Sequence, residues 1–135
     1  MATQEFDGLV QTLGMETVRA SADEVVLEWT VGPQHHQPMG IVHGGVHCSA
    51  IETACSIGAS ISARERDPRI AAVGLENHTS FIRAVRSGRL RVIARPITRG
   101  RTTQVWEAEI RDEGERVIAT GRVRLLCVAR DAALG

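Results

Sequence analysis

One stretch of this chain reads as a single long helix, and it limits what the rest can fold into. Between residues 44 and 64, Val46, Ala50, Ile51, Ala54, Ile57, Gly58 and Ile61 recur at helical spacing. The same stretch is crowded with Ala, Ser and Gly, which let other backbone come close. Residues 4–13 predict a shorter helix, with Phe6, Leu9, Val10 and Leu13 on one face and Gly14 as a stop. Residues 17–31 read as two extended pieces around Ser21-Ala22-Asp23. After Asp67-Pro68 the pattern is all strand, over 70–84, 89–99, 102–112 and 116–128, with turns at Ser87-Gly88, Gly100 and Glu113-Gly114. In the last strand Val117, Ala119, Gly121, Val123, Leu125 and Cys127 alternate, the mark of one face on a core. Pro96 cannot donate in a ladder and is expected at an edge or a bulge. One buried helix wrapped by a curved antiparallel sheet satisfies this order, an α+β architecture. At 135 residues the expectation is one domain over residues 1–135. With two Phe, two Trp and no Tyr, its core has to be mainly Val, Ile, Leu and Ala.

Composition excludes several chemistries. Every basic residue is Arg, so neither a Schiff-base lysine nor a Walker-A phosphate loop is available. Cys48, Cys55 and Cys127 are odd in number and lack CxxC spacing, and read as reduced, packed thiols. No run reaches the roughly 18 apolar residues of a membrane helix, and residues 1–7 lack the basic start and apolar middle of a signal peptide. A cytoplasmic protein with no membrane partner is expected. The net charge is zero, which argues against nucleic acid as a partner. The charges are nevertheless segregated. Residues 1–62 hold seven acids against Arg19, and residues 83–101 hold seven arginines and no acid. Arg89, Arg91, Arg95 and Arg99 share one strand parity and so one face. That face reads either as a site for a small polyanion or as a solvated surface.

The stretch GIVHGGVHCSAIETACS, residues 40–56, holds the candidate chemistry. Glu52 falls among Ala50, Ile51, Ala54 and Cys55 on the long helix, with Ser56 one turn later on the same face. His43-Gly44-Gly45 lies at the helix start, where unbonded N–H groups and the helix dipole favour developing negative charge. Donors there suit a carbonyl oxygen becoming an oxyanion, and a carboxylate two turns on suits activation of water or direct attack. The parts fit hydrolysis of an acyl compound. His43 and His47 at i, i+4 also have zinc-ligand spacing, but there is no HExxH and the turn already accounts for His43, so no metal is expected.

The segments QPMGIVHGGVHCSAIETACS and VGLENHTSFIRAVRSGRLRVIARPITRGRTTQVWEAEIRDEGERVIATGR resemble the hotdog-fold acyl-CoA thioesterases, in the group of the phenylacetate-pathway and hydroxybenzoyl-CoA enzymes. The resemblance covers about residues 33–127. It implies that Glu52 is the catalytic carboxylate, as general base or nucleophile, and that the Gly44 N–H meets the thioester oxygen. It places His43 and Gln37 as polar groups near that carbonyl and Ser56 as a water-positioning hydroxyl. It further implies substrate or CoA contacts at Gly45, at Gly100, Arg101 and Thr102 of the Gly-Arg turn, and at Arg89 and Arg91 for the phosphates. Asn77 and His78, next to Glu76, read as a border of the acyl pocket or as a structural network. No cofactor is implied, since CoA is part of the substrate. The implied assembly is a homodimer with shared active sites, Glu52 of one subunit facing the 76–78 segment of the other, and from it a homotetramer. His47 and Cys48 depart from the small residues commoner at those positions. Two other readings stand beside this one. A hotdog hydratase or dehydratase would pair His36 with Glu52, although the His-Gly-Gly turn favours hydrolysis. A non-catalytic acyl-CoA-binding module would not need Glu52, and no DNA-binding segment is expected ahead of the fold.

Overall fold

Small residues along one stripe of a helix and large apolar ones on one face of a sheet can interlock, and this pairing organises the chain. The structure is a computed structural model that describes residues 7–131. A single helical turn, α1 (Leu9–Thr12), precedes a hairpin of β1 (Glu16–Ala20) and β2 (Val25–Thr30). A 3₁₀ turn (Pro33–His35) and a loop lead to α2 (Gly44–Arg66). The strands β3 (Ile70–Phe81), β4 (Arg89–Arg99), β5 (Thr103–Arg111) and β6 (Val117–Ala129) follow. All six strands form one sheet in the order β1-β2-β4-β5-β6-β3, antiparallel at every pairing. This is the hotdog fold.

The expected α1 was longer. Only one turn forms, and its first expected residues, Gln4, Glu5 and Phe6, lie outside the described residues, as does nearly all of the segment read for a signal peptide. β3 ends at Phe81, short of the expected Ala84, because the next two N–H groups, of Ile82 and Arg83, both turn to the Ile118 carbonyl. Pro96 lies at a register shift between β4 and β5, beyond the last β2–β4 pair at Val25 and Ala94, so neither neighbour needs its missing donor.

α2 buries Val46, Ala50, Ile51, Ala54, Cys55, Gly58, Ala59 and Ala63 against the sheet, whose inner face supplies Leu27, Trp29, Leu90, Val92, Trp106, Ile110, Val123 and Leu125. Helix and sheet come very close at Gly58, where an added Cβ would overlap the Trp106 ring. Trp106 is fully buried and its Nε1 donates to Gln104 Oε1 at 2.8 Å, while Gln104 Nε2 donates to the Ala59 carbonyl at 3.2 Å. The indole is therefore held on both sides and cannot yield. Helix propensity alone would make Gly58→Ala stabilising by about 1 kcal/mol. Overpacking against a fixed ring costs about 1–3 kcal/mol, so a net loss of stability is expected in chemical denaturation. A gain would show that the helix is not seated on Trp106.

Candidate active site

The last residue before α2 is already part of the site. His43 is its N-cap, and its Nδ1 accepts the Gly45 N–H at 2.8 Å while the His43 carbonyl accepts Val46 N–H at 2.9 Å. The Gly44 N–H has no acceptor among the described residues, which leaves it as a donor at the positive end of a 23-residue helix. Phe81 from the end of β3 covers this turn, and a Cβ on Gly44 would come within 2.5 Å of its Cζ. Gln37 lines the same cavity as Gly44. Its Oε1 accepts the Met39 N–H, so the group it has left to offer is the Nε2 donor. Arg86 holds the loop in place, with Nη1 donating to the Met39 carbonyl at 3.0 Å, and His36 Nε2 bonds the Arg86 carbonyl at 2.8 Å. His36 is thus a loop tether, and within one chain it does not line the groove that carries Glu52.

Glu52 is half-buried, rather than buried, on the face of α2 that carries Thr53, Ser56, Ile57, Ser60, Ile61 and Arg64 along a groove. Its carboxylate lies directly against the backbone of Gly74 on β3, where any Cβ would overlap Oε2. Asn77 Nδ2 donates to Glu52 Oε1 at 3.2 Å and to the Cys48 carbonyl at 3.0 Å, and Thr79 Oγ1 donates to Asn77 Oδ1 at 2.6 Å. The threonine thereby sets the amide so that its donors face the helix. Ser49 and Thr53 spend their hydroxyls on the carbonyl four residues back, at 2.8 and 2.6 Å. Ser56 makes no such bond among the described residues, so its hydroxyl can hold water beside Glu52.

A register shift between Gly74 and Glu76 decides which β3 residues reach the helix. Leu75 is the extra residue, so Gly74 (opposite Leu125) and Asn77 (opposite Val123) both face inward although three apart. Glu76 and His78 consequently face outward, beside Ser80, Glu107, Thr120 and Arg122. The expectation that 76–78 borders the pocket as a block is corrected to Asn77 alone. Asn77 meets Glu52 within its own chain. Gly74 and Thr79 were missed in the sequence. A glycine inside a strand pattern was the available signal, since it marks close backbone approach.

The arginine stripe has a different explanation from a polyanion site. β2 pairs with β4, which brings the acidic N-terminal half against the arginines. Arg89 pairs with Glu28 at 3.1 Å and Glu16 at 3.4 Å, Arg95 with Glu24 at 2.7 Å, and Arg99 with Asp23 at 2.9 Å. Arg91 pairs with Glu115 at 2.9 Å across the sheet's outer face. Arg89 and Arg91 therefore point away from α2 and are already neutralised. Arg101 pairs with no carboxylate among the described residues. It sits exposed with Gly100 and Thr102 in the β4–β5 turn, which is bound to the C-terminal end of α2 by Arg66 Nη2 donating to the Arg99 carbonyl at 2.6 Å. Among the described residues no three His, Cys, Asp or Glu side chains gather as a metal site. Burial, and then the Glu52 charge, push the Cys55 thiol far up, which leaves it no thiolate character.

This arrangement, a donor turn at a helix start and a carboxylate on the helix face, can be compared with known proteins. The family model of the thioesterase superfamily matches residues 39–119. The chain belongs to the thioesterase superfamily. The 1,4-dihydroxy-2-naphthoyl-CoA hydrolase of Listeria monocytogenes is 36% identical over 123 residues, 91% of each chain. The proofreading thioesterase EntH of Cronobacter turicensis is 35% identical over 115 residues, 85% of this chain and 82% of that one. The solved structure of Rv1847 from Mycobacterium tuberculosis superposes with a TM-score of 0.86 at 34% identity, over 89% of this chain and 95% of that one. The protein is a thioester-hydrolysing enzyme of this superfamily. Among its described residues no helix is long and apolar enough to cross a membrane.

His47 is a further polar residue of this thioesterase at the start of α2. It is buried, its Nδ1 has no hydrogen-bond partner, and burial lowers its pKa to about 4. The unfolded chain binds this proton near pH 6.5, so stability from His47 is complete above that pH and is lost as pH falls towards 4. The difference corresponds to about 3 kcal/mol at most. Denaturation midpoints of wild type should fall over this window more steeply than those of His47→Phe. Parallel curves for the two proteins would rule the buried neutral imidazole out.

Proposed function

We propose that the protein hydrolyses acyl-CoA thioesters to the free acid and CoA, with Glu52 as the catalytic carboxylate and the Gly44 N–H polarising the carbonyl. The observation that carries this reading is the pairing of an unspent donor turn with a carboxylate seated in a glycine notch and held by Asn77. The hydrolase and thioesterase names of the Listeria and Cronobacter relatives support the substrate class. In the step itself a C–O bond forms and the C–S bond breaks. Glu52 takes the proton of the attacking water, which Ser56 positions, or attacks the carbonyl itself to form a mixed anhydride that water then cleaves to the free acid; in either route the sulfur leaves and is protonated. Gln37 Nε2 donates to the same carbonyl oxygen, and His43 and Gly45 keep the turn open. Water is the only co-reactant, so no cofactor or metal is required.

Gly44 and Glu52 are eight residues apart, about 12 Å along the helix and about 80° around it. They line different cavities. One chain is therefore poorly arranged to act on one thioester with both groups. We infer a homodimer in which Gly44 and Gln37 of one chain meet Glu52 of the other. The outer edge of β3 supports this, being 12 residues long, unpaired in the sheet, and carrying exposed Val73 and Leu75. Whether the assembly stops at a dimer or doubles to a tetramer, its working unit is two chains. From Glu52 the groove past Ser56 and Ser60 leads to Arg64 and the Arg101 turn, a path that suits the pantetheine arm and CoA phosphates. Asn77 borders the acyl end.

Glu52→Gln should lower CoA release from acyl-CoA by about 10³-fold or more while leaving the melting temperature near wild type. Retained turnover would refute the assignment of Glu52. Gly74→Ala should displace the carboxylate by roughly 1 Å and cost up to about 10²-fold in kcat, with KM and stability little changed. Full activity in that variant would show that the notch does not position Glu52.

A further inference from the structure

The loop that brings Gln37 to the start of α2 is itself a small hairpin. His43 N–H donates to the His35 carbonyl at 2.8 Å, Gln37 N–H to the Ile41 carbonyl at 2.9 Å, and His36 pairs antiparallel with Val42. Gly40 N–H closes the tip on the Gln37 carbonyl at 2.9 Å, and Arg86 grips that tip through the Met39 carbonyl. The base of the hairpin is His35, a buried titratable residue that the hydrolytic step does not use. It is 1% exposed, yet every polar group it has is paired. Its N–H donates to the Gly32 carbonyl at 3.0 Å and its carbonyl takes the His43 N–H. On the ring, Nδ1 lies 2.9 Å from the Gly32 N–H and Nε2 lies 2.8 Å from the Leu13 carbonyl. A backbone N–H only donates and a carbonyl only accepts, so Nδ1 is the bare nitrogen and Nε2 carries the proton. The imidazole is thereby fixed in one tautomer between the end of β2 and the turn after α1.

What His35 holds matters to the chemistry. Gln37 follows it by two residues, and His43, which its carbonyl fixes, is the cap directly before Gly44. A shift at the hairpin base therefore moves both carbonyl donors together. Glu52 is seated separately, by Asn77 and the Gly74 notch. His35 does not line the cavity that Gln37 and Gly44 share, so it acts from behind them. An aliphatic side chain there would fill the space but leave the Gly32 N–H and the Leu13 carbonyl without these partners, which is costly for enclosed backbone. We propose that His35 is a positioning residue for the reaction, holding the Gln37 and Gly44 donors in place through its neutral ring without touching substrate. This rests on the acyl-CoA hydrolase reading and adds to it a residue that supports one half of the site and not the other.

The test is a pair of double-mutant cycles on the full chain, read as kcat and KM for CoA release from whichever of acetyl-, decanoyl- and benzoyl-CoA wild type hydrolyses fastest. His35→Leu is made alone, with Gln37→Ala and with Asn77→Leu. Alone it should lower kcat by about 10²-fold, the scale of a roughly 1 Å misplacement, while KM stays within about twofold because the donors act on the transition state. Beside Gln37→Ala the loss should shrink to about tenfold or less, since one of the groups it misplaces is gone. Beside Asn77→Leu the full loss should remain, because that variant disturbs the other half of the site. His35→Asn, whose Oδ1 can still accept the Gly32 N–H, should recover about tenfold of the kcat lost in His35→Leu. Circular dichroism melting checks that each variant is folded, and if His35→Leu is not, His35→Asn takes its place in both cycles. Equal losses in the two backgrounds, a loss confined to KM, or a His35→Asn no better than His35→Leu overturns the role of His35 and leaves the hydrolase reading intact. No CoA release from any of the three thioesters by wild type overturns both.

Discussion

Everything in this molecule depends on how closely α2 sits on its sheet. The helix presents mostly small residues to the core, and the sheet presents two tryptophans and branched aliphatics. Contact at this distance needs notches on both surfaces. Gly58 on the helix receives Trp106, and Gly121 on β6 receives Ile51, whose methyl carbons would lie 3.0 Å from any Cβ there. Gly74 on β3 receives Glu52. The same seating that packs the core therefore brings a carboxylate against a strand backbone, within reach of Asn77. Core and site are one packing problem.

The β3 bulge converts that seating into chemistry. Without the extra residue at Leu75, alternation would put Gly74 and Asn77 on opposite faces. With it, the notch and the amide donor face the same carboxylate. Thr79 and the Cys48 carbonyl then fix which end of the amide points at Glu52. The carboxylate is thus oriented by one strand, and the donor turn at Gly44 is organised by the His43 cap and by the loop that Arg86 holds. Each chain thus carries two separately supported groups on two parts of one helix, as the proposed two-chain site would require.

Electrostatics on the other side of the sheet serves a different end. The carboxylates of β1, β2 and the turn between them lie beside arginines of β4 because those strands are neighbours. Each exposed pair contributes little to stability. Together they neutralise a face that would otherwise hold four arginines of β4, and they leave Arg101 exposed in the turn that Arg66 ties to the end of α2.

The sequence by itself determined the order of elements, the long helix, the strand alternation, the exclusion of Pro96 from a regular central ladder and the placement of Glu52, Ser56 and the His43-Gly44-Gly45 turn. These are local properties, carried by period, propensity and capping, and they are readable one segment at a time. Only the tertiary structure decided that Asn77 faces Glu52 while Glu76 and His78 do not, because one inserted residue reverses parity and no local pattern announces it. Only strand pairing showed that the acidic half and the arginine segment belong together, since partners Glu28 and Arg89 are 61 residues apart. The role of Gly74 was equally hidden. What a missing side chain makes room for is known only when the group that fills the room has arrived from another part of the chain.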